Sequence, residues 1–147
     1  EVEGVFSALI MAVWPRFKGA VEGQVQSLKT AGTSSASVPS GSDKAVHKIT
    51  TRYAQLTAAL LVTFARLHSQ SALMASTSIT YMCHAMEKFV QRGGEQLGGG
   101  LKACFFAINQ YDHILSVYHL AGVQASQCAR MRALLHANTD ALLPLLL

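Results

Sequence analysis

The 147-residue chain has little of what marks many enzymes and secreted proteins. Its cysteines number three, Cys83, Cys104 and Cys128, with no Cys-x-x-Cys among them. An odd, scattered set suits reduced thiols in a cytosolic protein rather than a disulfide framework. Charged residues make up 14%, against a usual share of about 25%, which excludes a charged disordered tail over most of the length. Long apolar runs are missing. Leu56–Ala65 contains Thr57 and Thr63 and stops at Arg66, and Ala141–Leu147 is interrupted by Pro144. A membrane span needs roughly 20 residues. No charged segment leads into a short apolar core, so no signal peptide is visible. Glu1 stands where a Met would begin a complete chain, as expected of a fragment or processed product of a longer one.

The net charge is +4 with a pI near 9.2, but the bases are scattered singly from Arg16 to Arg132. A nucleic-acid binder concentrates them on one face or in a run. The pattern predicts no nucleic-acid partner and at most mild attraction to an anionic surface.

Half of the residues are hydrophobic, enough to bury a core in one domain. Apolar positions recur three or four apart, the period of a helix face. Val2, Phe6, Leu9, Val13, Phe17, Val21, Val25 and Leu28 make a first stripe, to about Lys29. Pro15 lies inside it and predicts a kink or break near Val13–Trp14, because proline removes a backbone bond and clashes with the preceding turn. Residues 32–43 read GTSSASVPSGSD, a flexible loop, with Ser42 or Asp43 placed to cap the next helix. That helix is expected over about Lys44–Ser69 on a stripe of Val46, Ile49, Tyr53, Leu56, Leu60, Phe64 and Leu67. A third is expected over about Ala72–Gln91, on Leu73, Ile79, Met82, Met86 and Phe89 or Val90. Five glycines between Gly93 and Gly100 argue for a break, yet Leu97, Leu101, Cys104, Ile108, Tyr111, Leu115 and Tyr118 keep a heptad rhythm through them. The fourth helix is expected over Leu101–Leu120, with its join to the third open and Gly122 as its stop. The last spans about Val123–Leu143, carrying Met131, Leu134, Leu135 and Leu142. The expected fold is all-α. It is an elongated up-and-down bundle of four to five helices, one domain over residues 1–147.

No constellation rises to catalysis. Asp112, Ser116 and His119 share one helix face, but three side chains on a straight helix supply neither a strained nucleophile turn nor an oxyanion hole. No His-x-x-x-His or Glu-x-x-His pair offers a metal site, and the glycines lack the Lys-Ser/Thr ending of a phosphate loop. The glycines read better as a loop or as a thin helix surface that permits close approach. Met82, Met86 and Phe89 read as core. No cofactor is expected.

Five strings occur in a specific order. They are Val13-Trp14-Pro15-Arg16-Phe17, Val25-Gln26-Ser27-Leu28, His47-Lys48-Ile49-Thr50-Thr51-Arg52-Tyr53-Ala54, Ile108-Asn109-Gln110-Tyr111-Asp112 and Leu134-Leu135-His136-Ala137-Asn138-Thr139. This succession resembles the C-terminal part of the vacuolar protein sorting-associated protein fifty-two family, from near Val13 to near Leu143. The resemblance implies a non-catalytic, rod-shaped helical subunit of the GARP and EARP tethering complexes, acting in retrograde endosome-to-trans-Golgi transport. It implies sister subunits, SNAREs and Rab- and Arl-type GTPases as partners. It also implies a peripheral place on the cytosolic face of the trans-Golgi network and endosomes. The motif residues Trp14, Pro15, Arg16, Phe17, Arg52, Tyr53, Asn109, Tyr111 and Asp112 are expected to be structural. Trp14 and Phe17 are expected to wedge the kink, Tyr53 and Tyr111 to pack on neighbouring seams, and Arg16 or Arg52 to bridge to Asp112. The sequence departs from relatives at Thr51, Gln55 and Leu56, where they carry a basic, an acidic and an aromatic residue. The competing readings are a membrane-surface bundle and a cofactor-binding bundle.

Overall fold

The computed structural model describes residues 2–31, 46–66 and 70–147. Among these residues the chain forms helices and no strand: α1 Val2–Ala31, α2 Lys48–Phe64, α3 Gln70–Gln96, α4 Gly100–Ala121 and α5 Ala129–Leu146. They build an up-and-down helical bundle. α4 is its centre and packs on α5, α2 and α3, while α1 joins through α3. The core gathers Val25, Met82, Met86, Phe89, Phe106 and Ile114, all of them essentially inaccessible to water.

α1 runs unbroken through Pro15, so the expected break is absent. Pro15 and Met11 are both exposed, and Pro15, having no N–H, leaves the Met11 carbonyl without its intrahelical partner. Only the second half of the α1 stripe is buried, at Val21, Val25 and Leu28. Of residues 4–13, every described side chain is exposed.

α2 begins at Lys48, later than expected. His47 holds an extended backbone, and its ring Nδ1 accepts from the Ile49 N–H at 3.1 Å, which sets the helix start there. The expected loop 32–43 and its Ser42 or Asp43 cap lie outside the described residues, as do Leu67 and Ser69. The helix ends at Phe64, before an Ala65–Arg66 turn.

α3 passes through Gly93 and Gly94 and continues to Gln96, five residues beyond the expected Gln91. The two helices are separated at residues 97–99, and Gly98, Gly99 and Gly100 hold φ values of 101°, 69° and 55°. α3 and α4 are therefore two helices. Gly93 and Gly94 serve as the thin surface at which they cross. A Cβ on Gly93 would lie 2.6 Å from Phe106 Cε1, and one on Gly94 would lie 2.9 Å from the Ala103 Cβ. α4 ends at Gly122 as expected: φ is 77°, its N–H reaches His119 O, and the Val123 N–H reaches Tyr118 O. α5 starts at Ala129 rather than Val123, because turns from Gln124 to Gln127 and from Ala125 to Cys128 occupy the intervening residues. Leu101 of the expected α4 seam is exposed, and the buried face is Phe106, Ala107, Gln110, Tyr111, Ile114 and Tyr118.

Candidate functional site

Two of the ordered strings meet across α2 and α4. Gln110 is fully buried, and its Oε1 accepts from the His47 backbone N–H at 3.0 Å and from the Thr50 hydroxyl at 2.7 Å. The first turn of a helix presents N–H groups without intrahelical acceptors, so a side-chain oxygen from a neighbouring helix completes the start of α2. Next to it, Thr51 Oγ1 lies 3.1 Å from His113 Nε2. The His47 ring meets Phe89 edge-on at 5.1 Å, which ties the same turn to α3.

Further along α2, Tyr118 donates its hydroxyl to Thr57 Oγ1 at 2.7 Å, and Thr57 donates to the Tyr53 carbonyl at 2.7 Å. The Tyr53 hydroxyl is buried without a hydrogen bond of good geometry, beside the Cys83 thiol and Tyr118. Burial raises the Tyr53 and Tyr111 phenols well above their usual range. It pushes Tyr118 up to about 12, although its hydrogen bond to Thr57 opposes the rise. Burial also raises the Cys83 thiol, which makes it a weak nucleophile.

A cavity of about 670 Å³ opens between the end of α2, α3 and the turn before α5. Leu61, Phe64 and Ile79 form its apolar wall, and Cys83, Glu87 and Arg130 face them. Arg130 grips Glu87 with Nε and Nη2 at 2.8 and 2.7 Å. The pair fastens α5 to α3 and already satisfies both charges. The sequence offered no local cue for it, since 43 positions separate the partners.

The motif residues do not converge on one site. Trp14 is half-buried and stacks on Phe17 at 5.2 Å, and Phe17 meets Phe64 edge-on at 5.5 Å. This couples α1 to the end of α2. Tyr53 and Tyr111 are buried on α2 and α4, and Asn109 is half-buried. Pro15, Arg16, Arg52 and Asp112 are exposed. Among the described residues the ion pairs are those of Glu87 with Arg130 and with His84, so the expected bridge from Arg16 or Arg52 to Asp112 does not form. Asp112 points outward because Tyr111 and Ile114 occupy the inner face of α4. Asp112, Ser116 and His119 are all exposed. No group of three or more His, Cys, Asp or Glu among the described residues could hold a metal ion. Nor is any described helix long and apolar enough to cross a membrane.

A model of the family described as Vps52, C-terminal, matches residues 2–142. No curated protein and no solved structure matches the chain.

Proposed function

The chain belongs to the Vps52 C-terminal family, and from that premise we propose a non-catalytic role in vesicle tethering. The family indicates a subunit of a tethering complex, with partner subunits. The finer reading is a GARP- or EARP-type complex in retrograde endosome-to-trans-Golgi transport. The chain acts there through protein contacts, as a peripheral component on the cytosolic face of those membranes. SNAREs and Rab- or Arl-type GTPases are its further partners. The nine motif residues serve the helical scaffold, and residues 1–147 act as one helical domain.

The family match over residues 2–142 carries this reading. The geometry is in keeping with it. The buried polar groups of α2 and α4 fasten helices together, and exposed apolar side chains such as Leu9, Met11 and Leu120 stand on helices, where protein contacts can be made. Affinity capture of the full native chain from its source cell tests the proposal. Recovery of sister tether subunits together with trans-Golgi SNAREs is expected. Clean capture lacking both would overturn the tethering role.

A further inference from the structure

The first half of α1 is a helix without a core. From Gly4 to Pro15 it carries no charged residue. Val5 is 68% exposed, Leu9 59%, Met11 78% and Val13 54%, and Ile10 is exposed as well. At 100° per residue these positions surround the helix rather than sharing one stripe. A helix that is apolar all round is ordinarily a buried one. Among the described side chains of α1, cover begins with the half-buried Trp14 and continues through Phe17 against Phe64 of α2 to the buried Val21, Val25 and Leu28. Residues 4–13 form an overhang of about 15 Å at a rise of about 1.5 Å per residue.

The occupant is argued from charge. Acidic residues, Glu1 and Glu3, precede the neutral stretch, and basic residues, Arg16 and Lys18, follow it. Set antiparallel against an identical segment, the acidic end of each copy lies beside the basic end of the other, and the neutral middle meets itself around Leu9 and Ile10. Set parallel, like ends face each other. A surface without charge from Gly4 to Pro15 presents nothing that repels its own copy, as a two-fold symmetric contact requires. We propose that this overhang is a self-association surface: two copies of the chain pair antiparallel through residues 4–13 of α1, centred on Leu9 and Ile10. The inference rests on α1 alone and is independent of the tethering role. An interface built from about three turns of helix per copy is small, so the pairing is a reversible, concentration-dependent one.

Sedimentation velocity on the full native chain, over a concentration series into the hundreds of micromolar (roughly the range in which so small an interface saturates), reads this directly. A reversible monomer–dimer equilibrium is expected. Leu9→Glu and Val13→Glu are expected to weaken it at least tenfold with unchanged far-ultraviolet circular dichroism, because both side chains are exposed in the monomer. Leu146→Glu, on the exposed end of α5, is expected to leave it unchanged. In a background whose native cysteines are replaced by alanine, Ile10→Cys cross-links one copy to the other under mild oxidation and Gly4→Cys does not. Several outcomes would overturn the proposal. One is a chain that stays monomeric throughout, including one whose Leu9→Glu variant merely loses a different co-purifying protein. A dimer indifferent to both α1 substitutions is another. Efficient Gly4→Cys cross-linking would mean a parallel pair and would equally defeat it.

Discussion

Gln110 and Thr50 lie 60 positions apart in the chain, and the Gln110 side-chain oxygen accepts the Thr50 hydroxyl at 2.7 Å in a site that water does not reach. The same oxygen takes the His47 backbone N–H at 3.0 Å. One acceptor on α4 therefore serves two donors at the start of α2. Replacing it by leucine removes that acceptor and buries an apolar group against both donors. A buried donor stripped of its partner costs about 1–3 kcal/mol. Gln110→Leu is expected to lower stability by about 2 kcal/mol or more in urea titration. Thr50→Val, which removes only one donor, is expected to cost less. An unchanged urea midpoint for Gln110→Leu would show that the clamp contributes nothing.

That clamp explains much of what the sequence did and did not reveal. Helix identity is legible because apolar residues recur at helical spacing, and α4 ends at the expected glycine stop, Gly122, which the structure holds in the left-handed conformation. The buried face of α2 was not legible as an apolar stripe. It includes Thr50, Ala54, Thr57 and Ala58, small residues that let helices approach, with the threonine hydroxyls satisfied by Gln110 and by the Tyr53 carbonyl. The buried face of α4 is wider than the heptad seam, because α4 has neighbours on several sides and so buries Phe106 and Gln110 beside Tyr111 and Tyr118. The apolar stripe of α1 extends beyond its buried part at Val21, Val25 and Leu28, since periodicity shows which residues could be covered and not whether a neighbour covers them. Between the strings 47–54 and 108–112 the expected bridge from Arg52 to Asp112 is absent, and the contact runs instead through Gln110 and Thr50, whose polar side chains give no apolar signal.

The tyrosines set an alkaline limit. Tyr118 is buried and its phenol is pushed up to about 12, and Tyr53 is raised as well. In the unfolded chain a tyrosine ionises near pH 10. The folded state holds its proton to higher pH, so this contribution to stability is fully present below about pH 10 and is lost as pH rises through about 12. Each unit of difference corresponds to about 1.4 kcal/mol. Chemical denaturation is expected to show stability falling steadily above pH 10, by about 2–3 kcal/mol from Tyr118 alone. Tyr118→Phe is expected to reduce that slope while costing about 1 kcal/mol at neutral pH through the lost bond to Thr57. An equal alkaline slope in the two proteins would rule out Tyr118 as its source.

Arg130 and Glu87 pair with good geometry at a wet edge. The Glu87 side chain is 18% exposed and that of Arg130 57%. Solvent screening limits the pair to about 1 kcal/mol or less, despite its two short bonds. A double-mutant cycle with Glu87→Gln and Arg130→Met is expected to give a coupling of that size at low salt. The coupling is expected to shrink as salt is raised. A coupling of several kcal/mol, insensitive to salt, would contradict this account of the α3–α5 fastening.

Glycines in helices ordinarily mark weak points, and alanine in their place is worth up to about 1 kcal/mol. At Gly19 and Gly23 nothing lies within 4 Å of an added Cβ, so Gly19→Ala and Gly23→Ala are expected to stabilise by about 0.5–1 kcal/mol. Gly93 reverses the sign. Its added Cβ would come within 2.6 Å of Phe106 Cε1, and Phe106 is buried in the core. Overpacking of this kind costs about 1–3 kcal/mol, more than helix propensity returns. Gly93→Ala is expected to destabilise, and trimming the obstruction with Phe106→Leu should make the pair of substitutions less harmful than the sum of the two alone. Strict additivity, measured by thermal or urea unfolding of all four proteins, would mean that α3 and α4 do not meet at this glycine. The close crossing rather than chain flexibility would then have to be abandoned as the reason glycine occupies a position where the helix continues unbroken on both sides.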